Sequence, residues 1–96
     1  MNLQDAVFNW LQISIVAEAR PDDLAASETR DFFETILRED HHLERFVRMA
    51  DEGTYTVEYE EAGGVRHTKR FDRELAEQLL TDINSNPKYN NTMIDI

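Results

Sequence analysis

The chain has no cysteine. That excludes disulfides, a thiolate metal site and a thiol nucleophile, and it points to the cytoplasm as the simplest setting. Lysine is scarce, with two residues against eight arginines, and acids outnumber bases 20 to 10. The net charge of −10 makes free nucleic acid and anionic membranes poor partners for the molecule as a whole. No long uninterrupted apolar run is present. The most apolar stretch, MNLQDAVFNWLQISIVAEA, is broken by Asp5 and Asn9 and is too polar to span a membrane. Its end, Ala17-Glu18-Ala19, mimics a signal-peptide cleavage site, but no basic residue precedes Arg20, so it reads as mature structure. Repeats, linkers and low-complexity segments are likewise missing.

Catalytic motifs are missing too. Ser14, Ser27 and Ser85 sit in no nucleophile elbow, and Gly63-Gly64 reads as a hairpin turn rather than a phosphate loop. Carboxylates are too numerous for any pair to stand out as an acid–base couple. The expectation is a protein that is not an enzyme and needs no cofactor.

What is present suffices for one small globular domain. Of the 96 residues, 41% are hydrophobic. A chain of this length buries only about 60–65% of the surface that its unfolded form exposes. The domain is expected over residues 1–86, with residues 87–96 as a loose tail.

Asn2 can cap a first helix in which Leu3, Val7, Phe8, Leu11 and Ile15 recur at helical spacing. Trp10, Ile13 and Ala17 form a second apolar stripe, so this helix is apolar most of the way round and predicts burial on two sides. Pro21 stops it, and Asp22 is placed to cap a second helix ending near Asp40. The apolar face of that helix is expected to hold Leu24, Phe32 and Ile36 with Phe33 and Leu37. Leu43 to Ala50 fits helix or strand. The Asp51-Glu52-Gly53 turn favours a strand, with a three-residue hairpin loop and Gly53 left-handed. That register sets Met49 opposite Tyr55, Val47 opposite Val57 and Arg45 opposite Tyr59.

Tyr55, Val57 and Tyr59 alternate with Thr56, Glu58 and Glu60 in the clearest strand. A loop at Ala62–Gly64 leads to the strand of Val65 to Phe71. Asp72 caps a third helix with Leu75, Ala76, Leu79, Leu80 and Ile83 as its buried stripe. The predicted fold is α+β, a three-stranded antiparallel meander packed against helices in the order α-α-β-β-β-α. The alternative is a long second helix followed by a two-stranded hairpin. One face of the sheet is expected to stay wet.

Three groups of residues are candidates for function. The stripe of Phe8, Trp10, Ile13 and Ala17 is apolar surface in excess of one small core and predicts a contact with another protein or a second copy. Arg66, Lys69 and Arg70 form a basic run able to hold a small anion. Its simpler explanation is cross-strand pairing with the acidic middle strand, Glu60 opposite Arg66 and Glu58 opposite Thr68, worth about 0.2–1 kcal/mol per charge pair. His41 and His42 have ligand chemistry for zinc or nickel, but adjacent helical residues point about 100° apart and fit one ion poorly. The leading functional expectation is a non-enzymatic protein–protein interaction or adaptor domain. The alternative is a small anion- or metal-binding module.

Overall fold

A computed structural model describes residues 1–85. The expected tail at 87–96 lies outside the described residues. The elements are α1 (Leu3–Ala19), α2 (Leu24–Glu39), β1 (Leu43–Ala50), β2 (Thr54–Glu61), β3 (Val65–Asp72) and α3 (Arg73–Ser85). The order is the predicted α-α-β-β-β-α, and the strands form an antiparallel meander β1-β2-β3. The long-second-helix alternative is excluded, because α2 ends at Glu39. The backbone then turns through His42 at φ 57°, a left-handed conformation that ends helices. Among the described residues, no helix is long and apolar enough to cross a membrane.

Caps set the helix starts. The Asn2 side chain accepts the Asp5 N–H at 2.8 Å, and Asp72 accepts that of Leu75 at 3.0 Å. The second helix is capped by Asp23 rather than Asp22. Asp23 accepts the Ala26 N–H at 3.0 Å and meets the Arg20 guanidinium at 3.1 Å. The Ala26 N–H and then Arg20 hold its carboxyl below the usual aspartate range, since both favour the charged form.

Helix α1 lies at the centre of the helical layer. Trp10 meets Phe46 of β1 edge-on at 5.1 Å between ring centroids, and Phe8 meets Phe71 of β3 at 5.4 Å. Its flanks pack against α2 and α3. Val7, Trp10, Leu11 and Ile15 join Leu37, Leu43, Tyr55, Val57, Tyr59 and Ala76 in one core cluster. Ile13, Val16 and Ala17 join Ala26 in a second, against Phe33, Leu79, Leu80 and Ile83. A helix with neighbours on three sides has little room for polar residues, which accounts for its near-uniform apolarity.

The first hairpin differs from expectation by one residue. Ala50 pairs with Tyr55, Arg48 with Val57 and Phe46 with Tyr59. The Asp51 carboxylate accepts the N–H groups of Gly53 and Thr54 at 3.0 and 2.8 Å, and the Asp51 N–H donates to the Thr54 carbonyl at 2.9 Å. This side-chain turn closes the hairpin early. Because side chains alternate with period two, one step moves the whole strand's pattern to the opposite face. Phe46 and Arg48 therefore face the helices, while Val47 and Met49 face outward. The second hairpin keeps its expected register, with Glu60 opposite Arg66 and Glu58 opposite Thr68.

Gly53 is not left-handed, whereas Gly63 and Gly64 have φ of 95° and 87°. A Cβ at any of the three would meet nothing within 4 Å, so backbone conformation alone decides the effect of a substitution. Gly53→Ala is expected to stay within about 0.5 kcal/mol of the parent in urea unfolding. Gly63→Ala and Gly64→Ala are each expected to lose about 1–2 kcal/mol. Equal losses at all three would contradict this assignment of the turns.

Candidate interaction surface

The structure separates the residues that the sequence grouped. Trp10, Ile13 and Ala17 are 5%, 8% and 4% exposed, buried by this chain's own α2, α3 and sheet. Phe8 is half-buried against Phe71. The Trp10 indole N–H donates to Glu34 Oε2 at 3.1 Å, so its polar atom is satisfied internally. The surplus apolar surface of α1 is consumed inside the monomer and does not form an exposed contact stripe.

Arg66, Lys69 and Arg70 do not converge either. Alternation puts Arg66 and Arg70 on the outer face and Lys69 on the helix-facing side of the β3 edge. Arg66 Nε donates to Glu60 Oε2 at 2.9 Å, the cross-strand pairing expected from the alternation. His41 and His42 are also split. His42 is exposed, while His41 is half-buried with its Nε2 enclosed and without a partner. Among the described residues, no group of three or more His, Asp or Glu is arranged to hold a metal ion.

Other polar clusters tie the layers together. Arg48 reaches from the inner face of β1 to the last turns of α1, where Nη2 donates to the Ser14 carbonyl at 3.4 Å and to Glu18 Oε1 at 2.5 Å. That places a cation at the negative end of α1. The hydrogen bond and charge of Arg48 lower the Glu18 carboxyl below its ordinary value. The Tyr55 hydroxyl donates to Glu77 Oε2 at 2.9 Å, which also accepts Arg73 Nε at 3.0 Å. Burial, followed by the Glu77 bond and charge, pushes the Tyr55 hydroxyl pKa upward. His67 contacts Glu61 and stacks on Tyr59 at 5.1 Å.

The sheet face turned away from the helices remains as a surface. Following the register, it carries Arg45, Glu60 and Arg66 in one row, Val47, Glu58 and Thr68 in the next, and Met49, Thr56 and Arg70 in the third. A shallow hollow of about 290 Å³ opens here, lined by Arg45, Glu58, Tyr59, Glu60, Arg66, His67 and Thr68. Met49 is 47% exposed. Among the described residues, Arg45, Lys69 and Arg70 have no acidic partner. The alternation of β2 foretold a wet face. The presence of Arg45, Val47 and Met49 on it depended on the hairpin register, and the capacity of Asp51 to build a side-chain turn was the only signal for that.

Comparison with protein-family models, with curated proteins and with solved structures finds no match to this chain.

Proposed function

We propose that this protein acts by contact with another protein, as a non-enzymatic interaction domain, and that the contact is made by the outer face of the sheet. The supporting observation is the composition of that face. Exposed Met49 and half-buried Val47 lie among Arg45, Arg66 and Arg70, with only Arg66 neutralised by an ion pair. Methionine and arginine are enriched at protein interfaces, where their long stems cover apolar area and a guanidinium supplies directed hydrogen bonds. The acidic remainder of the molecule disfavours nucleic acid and anionic lipid surfaces, whose charge extends well beyond this face, and so favours a protein partner.

Photo-crosslinking in the native cell tests this. A photoreactive residue at Met49 or Thr56 is expected to yield discrete adducts, and one at Thr35, exposed on α2, is not. Adducts from Thr35 alone, or from none of the three positions, would remove the sheet face from consideration.

A further inference from the structure

An open face of three strands spans roughly 10–15 Å by 27 Å, on the order of 400 Å². A stable complex of standard size needs about 800 Å² on each side. The outer face alone is therefore too small, and the nearest sources of further contact are the two edges of the sheet, β1 and β3. The edge strand β3 is exposed over most of its length, contains no proline and keeps a regular register with β2. Its backbone phase follows from the junction with α3. The Arg73 N–H donates to the Gly53 carbonyl at 3.0 Å, which makes the odd-numbered residues of β3 the ones that bond to β2. The even-numbered Arg66, Thr68 and Arg70 then direct their N–H and C=O groups outward, away from the sheet.

Resting on the protein-contact reading above, we infer that β3 accepts an extended acidic segment of the partner as a fourth, antiparallel strand. Charge complementarity selects the occupant. Arg66, His67, Lys69 and Arg70 lie within five consecutive positions of a chain with net charge −10. Lys69 and Arg70 have no acid of their own among the described residues. Edge cations usually deter strand pairing, but a strand with acids opposite them forms favourable cross-strand charge pairs instead. A second copy is a poor occupant. In the two-fold register centred on Thr68, Arg66 would face Arg70, and in the register centred on Lys69 two lysines would meet. Like charges opposite one another destabilise such pairs. The overall negative charge does not forbid an acidic strand, because at physiological salt fields are screened over about 8 Å and the adjacent cations dominate.

The register specifies the segment. Acids opposite Arg70, Lys69 and Arg66 fall at the first, second and fifth positions of an antiparallel strand, with β-branched residues between them. The probe is the acetylated, amidated peptide Thr-Val-Glu-Glu-Val-Thr-Glu-Val-Thr, titrated into the full chain and followed by amide NMR. Saturable shifts are expected at Arg66, Thr68 and Arg70, with slowed hydrogen exchange at their N–H groups. Changing the three glutamates to glutamine, or Lys69→Glu with Arg70→Glu in the protein, is expected to weaken binding about tenfold or more, since attraction becomes neutral or repulsive. These side chains are exposed, and an unchanged spectrum elsewhere verifies that the variant folds. Absence of saturation, equal binding of the glutamine peptide, or shifts confined to the helices would each overturn the inference. So would β3 self-pairing detected by sedimentation. If crosslinks from Met49 and Thr56 persist while the peptide fails, the sheet-face reading stands and only the added strand is wrong. If both fail, the reading of the sheet face as the contact surface falls with it.

Discussion

Replacing Trp10 by alanine will cost about 3–5 kcal/mol of folding stability, the usual loss for a large buried aromatic. Its side chain is 5% exposed, its ring meets Phe46 at 5.1 Å and 77°, and its N–H is bonded to Glu34. Alanine forfeits the transfer free energy of the indole and leaves a cavity that α1, held on three sides, cannot collapse to fill. It also strips Glu34 of a donor. Small domains have about 5–15 kcal/mol of stability in total, so a substantial part of the margin goes. Urea unfolding followed by circular dichroism measures it, since the only tryptophan is lost with the mutation. Trp10→Phe retains an aromatic edge for Phe46 but gives up the Glu34 bond and some volume. A loss of about 1–2 kcal/mol is expected for it. A Trp10→Ala protein as stable as the parent, but altered in self-association, would return this residue to the interface role that its sequence context allowed. Ile13 and Ala17 share its fate, because α2 and α3 cover them too.

The reason that reading failed is physical. An all-round apolar helix states how many neighbours it has, not which chain supplies them. Two amphipathic helices and a sheet in the same 96 residues provide enough neighbours. Periodicity and caps were legible because they act within a few residues. Asn2, Asp72 and the alternation of Tyr55, Val57 and Tyr59 all fold as read. The Glu60–Arg66 pairing was legible for the same reason, since the Ala62–Gly64 loop joins adjacent strands. The first hairpin was harder. Its register depends on whether Asp51 caps its own turn, and either register leaves apolar residues facing one another. The register with Met49 opposite Tyr55 sends Met49 inward and Arg48 outward, and so hides the composition of the outer face. In the structure Arg48 crosses beneath the helices to Ser14 and Glu18, a placement that no local pattern encodes. Similarly, alternation alone tells that Lys69 and Arg70 occupy opposite faces, which was reason enough to doubt a shared anion.

Leu37→Ala is expected to lose about 2–5 kcal/mol, while Phe32→Ala on the same helix loses less than about 1 kcal/mol, although phenylalanine is the larger residue. The contrast tests the rotation of α2. Leu24, Phe32, Phe33, Ile36 and Leu37 together make an apolar arc too wide for one contact. Facing α1 with Ala26, Phe33 and Leu37 leaves Leu24 and Phe32 at 70% and 60% exposure. Leu37 is fully enclosed between α1 and the sheet, so its removal opens a void in the shared core. Phe32 touches the Phe33 ring edge-on at 5.4 Å and otherwise faces outward, so its removal uncovers little. Paired urea-unfolding curves with unchanged slopes would give both values. Because Phe32 and Leu37 are five residues apart and so point about 140° apart on a helix, a reversed order of losses would mean that α2 is turned by about that much. Phe32 would then be the core residue and Leu37 would lie at the surface. The Trp10–Glu34 bond could not survive that turn, so the two pairs of variants constrain the same helix from opposite ends of one contact.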